Sequence, residues 1–268
     1  MASFSAVRNL ESELAQVNLQ STALGLNKAM TRLSSGLYIN SSGDDAAGLA
    51  VANYYRQEIA IMNQGVRNAN DGLSDLQIKD GALANISTLL DRLATLATQA
   101  ATSTTTDASR ATLQQEFTDV LAEITREANV AGLASSTSFS VFMSNDGEHG
   151  VVNGTIGAVT TSALGLEGLS LTAQAAAQTA VQAISSAVSA LGSVQGTIGA
   201  LENRLQFAIS LAKSQIVNTT GAESRIRDAN MAQEAANLSR YSVLQQAGIA
   251  SLAQANNNGS AVLALLRG

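Results

Sequence analysis

Apolar side chains return every three or four residues along most of this chain, which is the period of an amphipathic helix. Val7, Leu10, Leu14 and Val17 step at this spacing, and a second register runs through Leu19, Ala23, Leu26, Met30, Leu33 and Leu37. This predicts a helix over 4–37 with heptad-like patterning and one register shift, suited to more than one neighbour. Asn40, Ser41, Ser42 and Gly43 then break the pattern, and Asp44 and Asp45 supply a cap oxygen and negative charge for a following helix. That second helix is predicted over about 45–100, with a stripe from Ile59, Met62, Val66, Ala69, Leu73 and Leu76 on to Leu83, Ile86, Leu90, Leu93, Ala97 and Ala100. Gly65, Gly72 and Gly81 each cost ~1 kcal/mol relative to Ala in a helix interior. They either admit another backbone at close range or mark bends.

A Ser/Thr-rich loop over 101–109 ends near Asp107, a plausible cap for a third helix through about Asn129 that carries Leu113, Phe117 and Ile124. Between Gly132 and Gly168 the period changes. Short β-branched and aromatic runs flank Asn145-Asp146-Gly147, which reads as a small β-hairpin within about 138–170. Helical spacing resumes from Thr172 to about Thr219 through Val181, Ile184, Val188, Leu191, Ile198, Leu201, Leu205 and Ile209, and Gly221 is expected to interrupt it. A last helix carries Met231, Ala235, Leu238, Ile249 and Leu252, with a break expected at Asn256–Gly259 before the apolar end that includes Leu266.

Short helix, long helix, hairpin, long helix, short helix is a palindromic order. The predicted fold is mainly α: a long antiparallel helical bundle or coiled coil, with the hairpin at the tip and both termini together. Nothing in one such chain covers the outer flanks of the terminal helices, which implies self-association, or disorder until a partner arrives.

Composition sharpens this picture. Hydrophobic residues make up 46% of the chain, but aromatics only 3%, and Pro is absent. Small side chains bury little area each, so the chain suits narrow helix-on-helix contact rather than a thick core. A net charge of −6 without a basic cluster argues against nucleic acid. The absence of Cys removes disulfide and thiolate chemistry. No leader peptide and no run of ~20 apolar residues is evident, so neither Sec export nor a membrane span is expected. Work outside the cell would need another export route.

Candidate chemistry is sparse. His149 is the single histidine, placed in a turn, and cannot build a multi-His metal site. Asp44 and Asp45 could pair for acid–base or cation work, but a helix cap beside a glycine turn explains both. Asn85, Asn153, Asn218, Asn237 and Asn258 begin Asn-x-Ser/Thr triplets, of which Asn153 on the hairpin is the best placed. No catalytic constellation, cofactor cradle or metal-ligand spacing emerges, so an enzyme is not expected.

The segment from Leu33 to Asn53, with Asp44-Asp-Ala-Ala-Gly48 at its centre, resembles the signature of bacterial flagellins. So do Arg67-Asn-Ala-Asn-Asp-Gly-Leu-Ser74, Asp80-Gly-Ala-Leu83, Ser162–Leu171, Ala222-Glu-Ser-Arg-Ile-Arg-Asp-Ala229, Leu244-Gln-Gln-Ala-Gly248 and Leu252-Ala-Gln-Ala-Asn256. The resemblance implies the structural subunit of an extracellular flagellar filament, in a minimal form without the variable outer domains. Residues 1–43 and 225–268 would form the inner tube and 44–224 the surrounding rod. The partners it implies are the chain itself, the flagellar type III export apparatus, a flagellin export chaperone, and the filament cap and hook-junction proteins. Inter-subunit packing would fall to Val7, Leu10, Leu14, Leu26, Leu33, Leu238, Ile249, Leu252 and Leu266. The family's innate-receptor recognition segment matches Arg92 and Leu96, with an acidic partner at Glu116; Arg92 and Glu116 as a simple interhelical ion pair is the other reading. A hook–filament junction protein and a coiled-coil secretion accessory or adhesin are the alternatives to a filament subunit.

Overall fold

The computed structural model describes residues 9–267, with side chains described for all of these except 148 and 258–267. Its elements are α1 (Leu10–Ser35), α2 (Ala46–Ala100), α3 (Asp107–Val130), β1 (Thr137–Phe142), a short 3-10 turn (Gly147–Gly150), β2 (Val151–Ile156), α4 (Gln174–Arg227) and α5 (Met231–Arg267). The chain is mainly α, as its periodicity predicts. It divides into two compact units, one holding the residues up to Gln57 and from Thr219 onward, the other Glu58–Asn218. Helices α2 and α4 contribute to both.

In the second unit, the predicted stripe of α2 (Leu76, Leu83, Ile86, Leu90, Leu93) packs with Phe117 and Ile124 of α3 and with Ile184, Leu191, Ile198, Leu201 and Leu205 of α4. Ala69, Ala97, Ala100, Ala177, Ala180 and Ala187 are fully buried in the same core. Their small side chains let the helix backbones approach, so each large residue finds contacts from two neighbours. Helix α3 runs antiparallel to α2, with Asn85 donating to Glu127 and Arg92 to Glu116. By length and composition alone α4 could cross a membrane, with a mean hydropathy of 1.2 over its most apolar window. Its buried side chains belong instead to this core.

The strands pair antiparallel from Thr137↔Ile156 to Phe142↔Val151. They span 137–156 against a predicted 138–170, and the chain from 157 to 173 is irregular, with Leu164, Leu166 and Leu171 buried in the core. Within the second unit the hairpin lies away from the α2–α3 turn. Helix α3 carries the chain back along α2 by roughly 36 Å before β1 begins. The strands then lie on α2 near residues 65–72 and on α4 near 201–204, far from the α2–α3 turn. Asn68 Nδ2 donates to the Phe142 carbonyl (3.1 Å) and Arg204 Nη1 to the Asn153 carbonyl (2.8 Å). Gly72 admits β1 and Gly65 the residue after it: a methyl on Gly72 would press on Val141 and Phe139, and one on Gly65 would overlap the Met143 carbonyl. Of the two readings for these glycines, close approach holds at 65 and 72, with a strand rather than a helix as the neighbour. Gly81 faces open space.

In the first unit, Asn9 caps α1 by accepting from Ser12 N (3.2 Å), and the helix ends at Gly36 with φ 73°. The part of the predicted helix before residue 9 lies outside the described residues. Three boundary expectations need correction. Gly221 does not interrupt α4, which runs on to Arg227, and Asn256–Gly259 does not break α5. Without Pro, a Gly or a few Asn cost only about 1 kcal/mol or less each, and a packed helix absorbs that. The actual break falls at 228–230, where Asn230 Oδ1 accepts from Gln233 N (3.2 Å) and starts α5. At α3 the cap is Thr106, which accepts from Ser109 N, and Asp107 is the first helical residue.

Candidate assembly surface

Two connectors meet in the first unit. The α1–α2 connector pairs with the α4–α5 connector: Tyr38 N donates to the Arg227 carbonyl (2.7 Å), Ala229 N donates to the Gly36 carbonyl (2.9 Å), and Leu37 and Asp228 form an antiparallel bridge. Ile39 is buried, with its side chain against Gly48 at the start of α2. Asp45 Oδ1 accepts from Gly48 N (2.9 Å) and caps α2. Asp44 accepts from the Asn40 and Ser41 amides and pairs with Lys28 (2.7 Å). The bonds from Lys28 and from the Asn40 amide hold its carboxyl well down, at about 2. Both carboxylates therefore serve caps and turns, as the glycine turn beside them suggests.

From this junction α1 and α5 pair antiparallel. Arg32 meets Glu234 (3.2 Å), the Tyr241 ring covers Gly25, Leu19 lies against Gly248, Ser12 Oγ donates to Asn256 Oδ1 (2.8 Å) and Asn9 Nδ2 to the Ala255 carbonyl (2.8 Å). The contacts recur at intervals of about seven residues, the repeat of a coiled coil. The predicted packing residues divide across this pair. Leu26, Leu33, Leu238 and Leu252 are half-buried. Leu10, Leu14 and Ile249 are left 63%, 56% and 55% exposed. Val7 lies outside the described residues, as does the side chain of Leu266. Val17, Leu24, Met30, Val243 and Leu244 are exposed as well. Leu24 and Val243 fall off the 3–4 stripe, so periodicity gives no reason to select them. Wet apolar side chains on both helices make a surface that favours covering.

The residues matched to the receptor segment divide differently. Arg92 donates to Glu116 through Nε (2.8 Å) and Nη2, so the interhelical ion pair is formed. Leu96 is 1% exposed and packs in the second unit's core, where no partner can reach it in this conformation. His149 is exposed in the 3-10 turn.

These features define a class before any comparison: a mainly helical chain whose polar side chains serve caps and ion pairs, and whose paired helices α1 and α5 leave apolar side chains exposed. A family profile described as the bacterial flagellin N-terminal helical region matches residues 8–140, and one for the bacterial flagellin C-terminal helical region matches 181–266. A flagellin of Halalkalibacterium halodurans is 38% identical over 90% of this chain and 91% of its own length. The flagellar filament core protein flaB2 of Brachyspira hyodysenteriae is 31% identical over 97% of this chain and 98% of its own. A crystal structure of Bacillus cereus flagellin aligns with 59% of this chain and 94% of that one at 26% identity and a TM-score of 0.47. The chain belongs to the bacterial flagellin family. It is a filament subunit of the flagellum, structural rather than enzymatic. Only 157–173 separates the hairpin from α4, so no outer domain is inserted there.

Proposed function

We propose that this flagellin polymerises through its first unit, with residues 1–43 and 225–268 as the inner tube of the filament and 44–224 as the surrounding rod. The observation that carries this reading is the exposure of Leu10, Leu14 and Ile249 on the paired terminal helices. Fully covering a side chain of this size contributes about 1.5–3 kcal/mol, so covering the exposed part of several per subunit favours assembly. Leu26, Leu33, Leu238 and Leu252 then hold α1 to α5 and present the exposed set. A tube packed by small side chains at helix–helix contacts is stiff enough to transmit torque. Export through the flagellar type III apparatus with a flagellin chaperone, growth under a filament cap and attachment at the hook junction complete the proposal.

The experiment is seeded elongation followed by electron microscopy. The full chain is expected to extend seeds into long uniform filaments. A truncation lacking 1–43 and 225–268, and a Leu10→Ser/Leu14→Ser/Ile249→Ser triple variant with unchanged helicity, should not extend them. A triple variant that elongates at the parent rate would overturn the proposal.

A further inference from the structure

We infer that Arg32 is the positioning residue of assembly: it ties the connector junction to the α1/α5 pair and sets the register and rotation in which both helices present their outward apolar side chains. This rests on the reading that subunits bury those side chains.

One side chain joins three segments. The Arg32 guanidinium donates to Glu234 Oε1 on α5 (3.2 Å) and stands 3.9 Å from the centroid of the Tyr38 ring on the connector. Its own carbonyl accepts from the Gly36 amide (2.9 Å) where α1 ends. Tyr38 in turn donates its amide to the carbonyl of Arg227, the last residue of α4 before the other connector. The pair is withdrawn from water, with side-chain exposures of 14% for Arg32 and 7% for Glu234. A buried ion pair is a weak stabiliser against an apolar replacement, but removing one partner strands the other charge, which makes such a pair a sharp discriminator between registers.

The rest of the seam discriminates less. Among the described residues, Ala29 and Ala255 are its buried apolar side chains, and Gly25 and Gly248 receive Tyr241 and Leu19. The seam's other hydrogen bonds, from Ser12 to Asn256 and from Asn9 to the Ala255 carbonyl, join neutral groups near its far end, whereas a withdrawn charged pair at one position rejects a shifted register more strongly. A guanidinium is also the group that can stack on a ring with its face while donating from its edge; an ammonium does only one of these well.

The chain has no cysteine, so an engineered pair reports register directly. Ser12→Cys with Asn256→Cys joins two side chains that touch in the observed register, far along the helices from Arg32. Oxidised glutathione supplies the oxidant, taking up the two electrons and two protons released as the S–S bond forms. In the full-length chain, Arg32→Ala and Arg32→Glu are expected to slow this cross-link by about tenfold or more. Both should slow seeded elongation in parallel, while the thermal unfolding of the second unit stays unchanged. The Arg32→Glu/Glu234→Arg double variant is expected to recover the cross-link substantially over Arg32→Glu alone, and Arg32→Lys to lie between parent and Ala. The inference is overturned if the parent pair does not cross-link, if Arg32→Ala keeps either cross-linking or elongation within about twofold of the parent, or if the swapped double variant is no better than Arg32→Glu. Failure of the apolar-burial reading shows separately, as normal elongation by the triple Ser variant with the cross-link intact.

Discussion

The carbonyl of Met143, the residue that follows strand β1, occupies the space that a side chain on Gly65 would need, so the end of the strand lies directly on the backbone of α2. One turn further on, Asn68 Nδ2 reaches the Phe142 carbonyl and fixes the strand along the helix. Gly65→Ala must lift the strand, and overpacking of this kind costs about 1–3 kcal/mol. Gly81 sits in the same helix with nothing near its added methyl, so Gly81→Ala should stabilise by about 0.5–1 kcal/mol. Denaturant unfolding of the two variants checks this. Shifts of the same sign would mean that the strand is not seated on the helix.

Asp44 makes the connector sensitive to acid. Its carboxyl is held at about 2, below its ordinary 3.8, by the bonds from Lys28 and the Asn40 and Ser41 amides. A depressed carboxyl contributes stability that is fully present above the ordinary value and is lost as pH falls through the folded one. Protection of the 36–45 connector amides against hydrogen exchange should therefore hold from pH 7 to about 5 and decline between about 4 and 2. Asp44→Asn is expected to lower protection at neutral pH and to flatten that decline. A variant that keeps the parent profile would contradict the assignment.

Much of this fold is legible in the sequence because helix stripes are local. Leu76, Leu83, Leu90, Leu93, Ile184, Leu191, Ile198 and Leu201 are selected by spacing alone, and all enter the core. The hairpin's place is not local. Nothing in the strand residues says that Gly65 and Gly72 receive them; that depends on α3 returning the chain along α2. Gly221 and Asn256 look like breakers because propensity is read residue by residue, whereas a long packed helix absorbs a single unfavourable residue. The surface proposed for assembly is half legible. Spacing selects Leu10, Leu14 and Ile249 as packing residues, and they stand exposed, but Arg32 and Glu234, distant in sequence, carry no local sign of their pairing.

Glu202 on α4 gives the second unit the opposite pH response to Asp44. Its Oε1 is buried without a hydrogen-bond partner. Burial, and then the negative charge of Asp80 across on α2, raise its carboxyl above the ordinary 4.5. Arg204, two residues on, commits its guanidinium to the Asn153 carbonyl. For a raised carboxyl, ionisation is harder in the folded state, so stability is lost as pH rises through the folded value. Glu202→Gln is expected to raise the melting temperature of the second unit at pH 7 and to leave it unchanged near pH 3. Asp80→Asn should give a smaller gain of the same sign. Melting curves at the two pH values decide it, and a Gln variant less stable at pH 7 would show that the carboxylate has a partner.

Arg92, Glu116 and Leu96 share one stretch of the α2–α3 pairing and are expected to behave differently. Arg92 and Glu116 pair with side chains about half exposed, at 54% and 43%. Such a pair contributes ~0–1 kcal/mol and is screened by salt. Arg92→Ala should therefore shift the unfolding midpoint slightly at low salt and hardly at all at high salt. Leu96 is buried, and Leu→Ala in a packed core costs about 2–5 kcal/mol. This surface presents the Arg92–Glu116 pair, while the Leu96 side chain is buried. Loss of such binding in Leu96→Ala would accordingly track loss of folding, and should recover under conditions that restore helicity, whereas loss in Arg92→Ala should persist in the fully folded protein. A Leu96→Ala variant as stable as the parent would place that side chain outside the core and contradict the packing described.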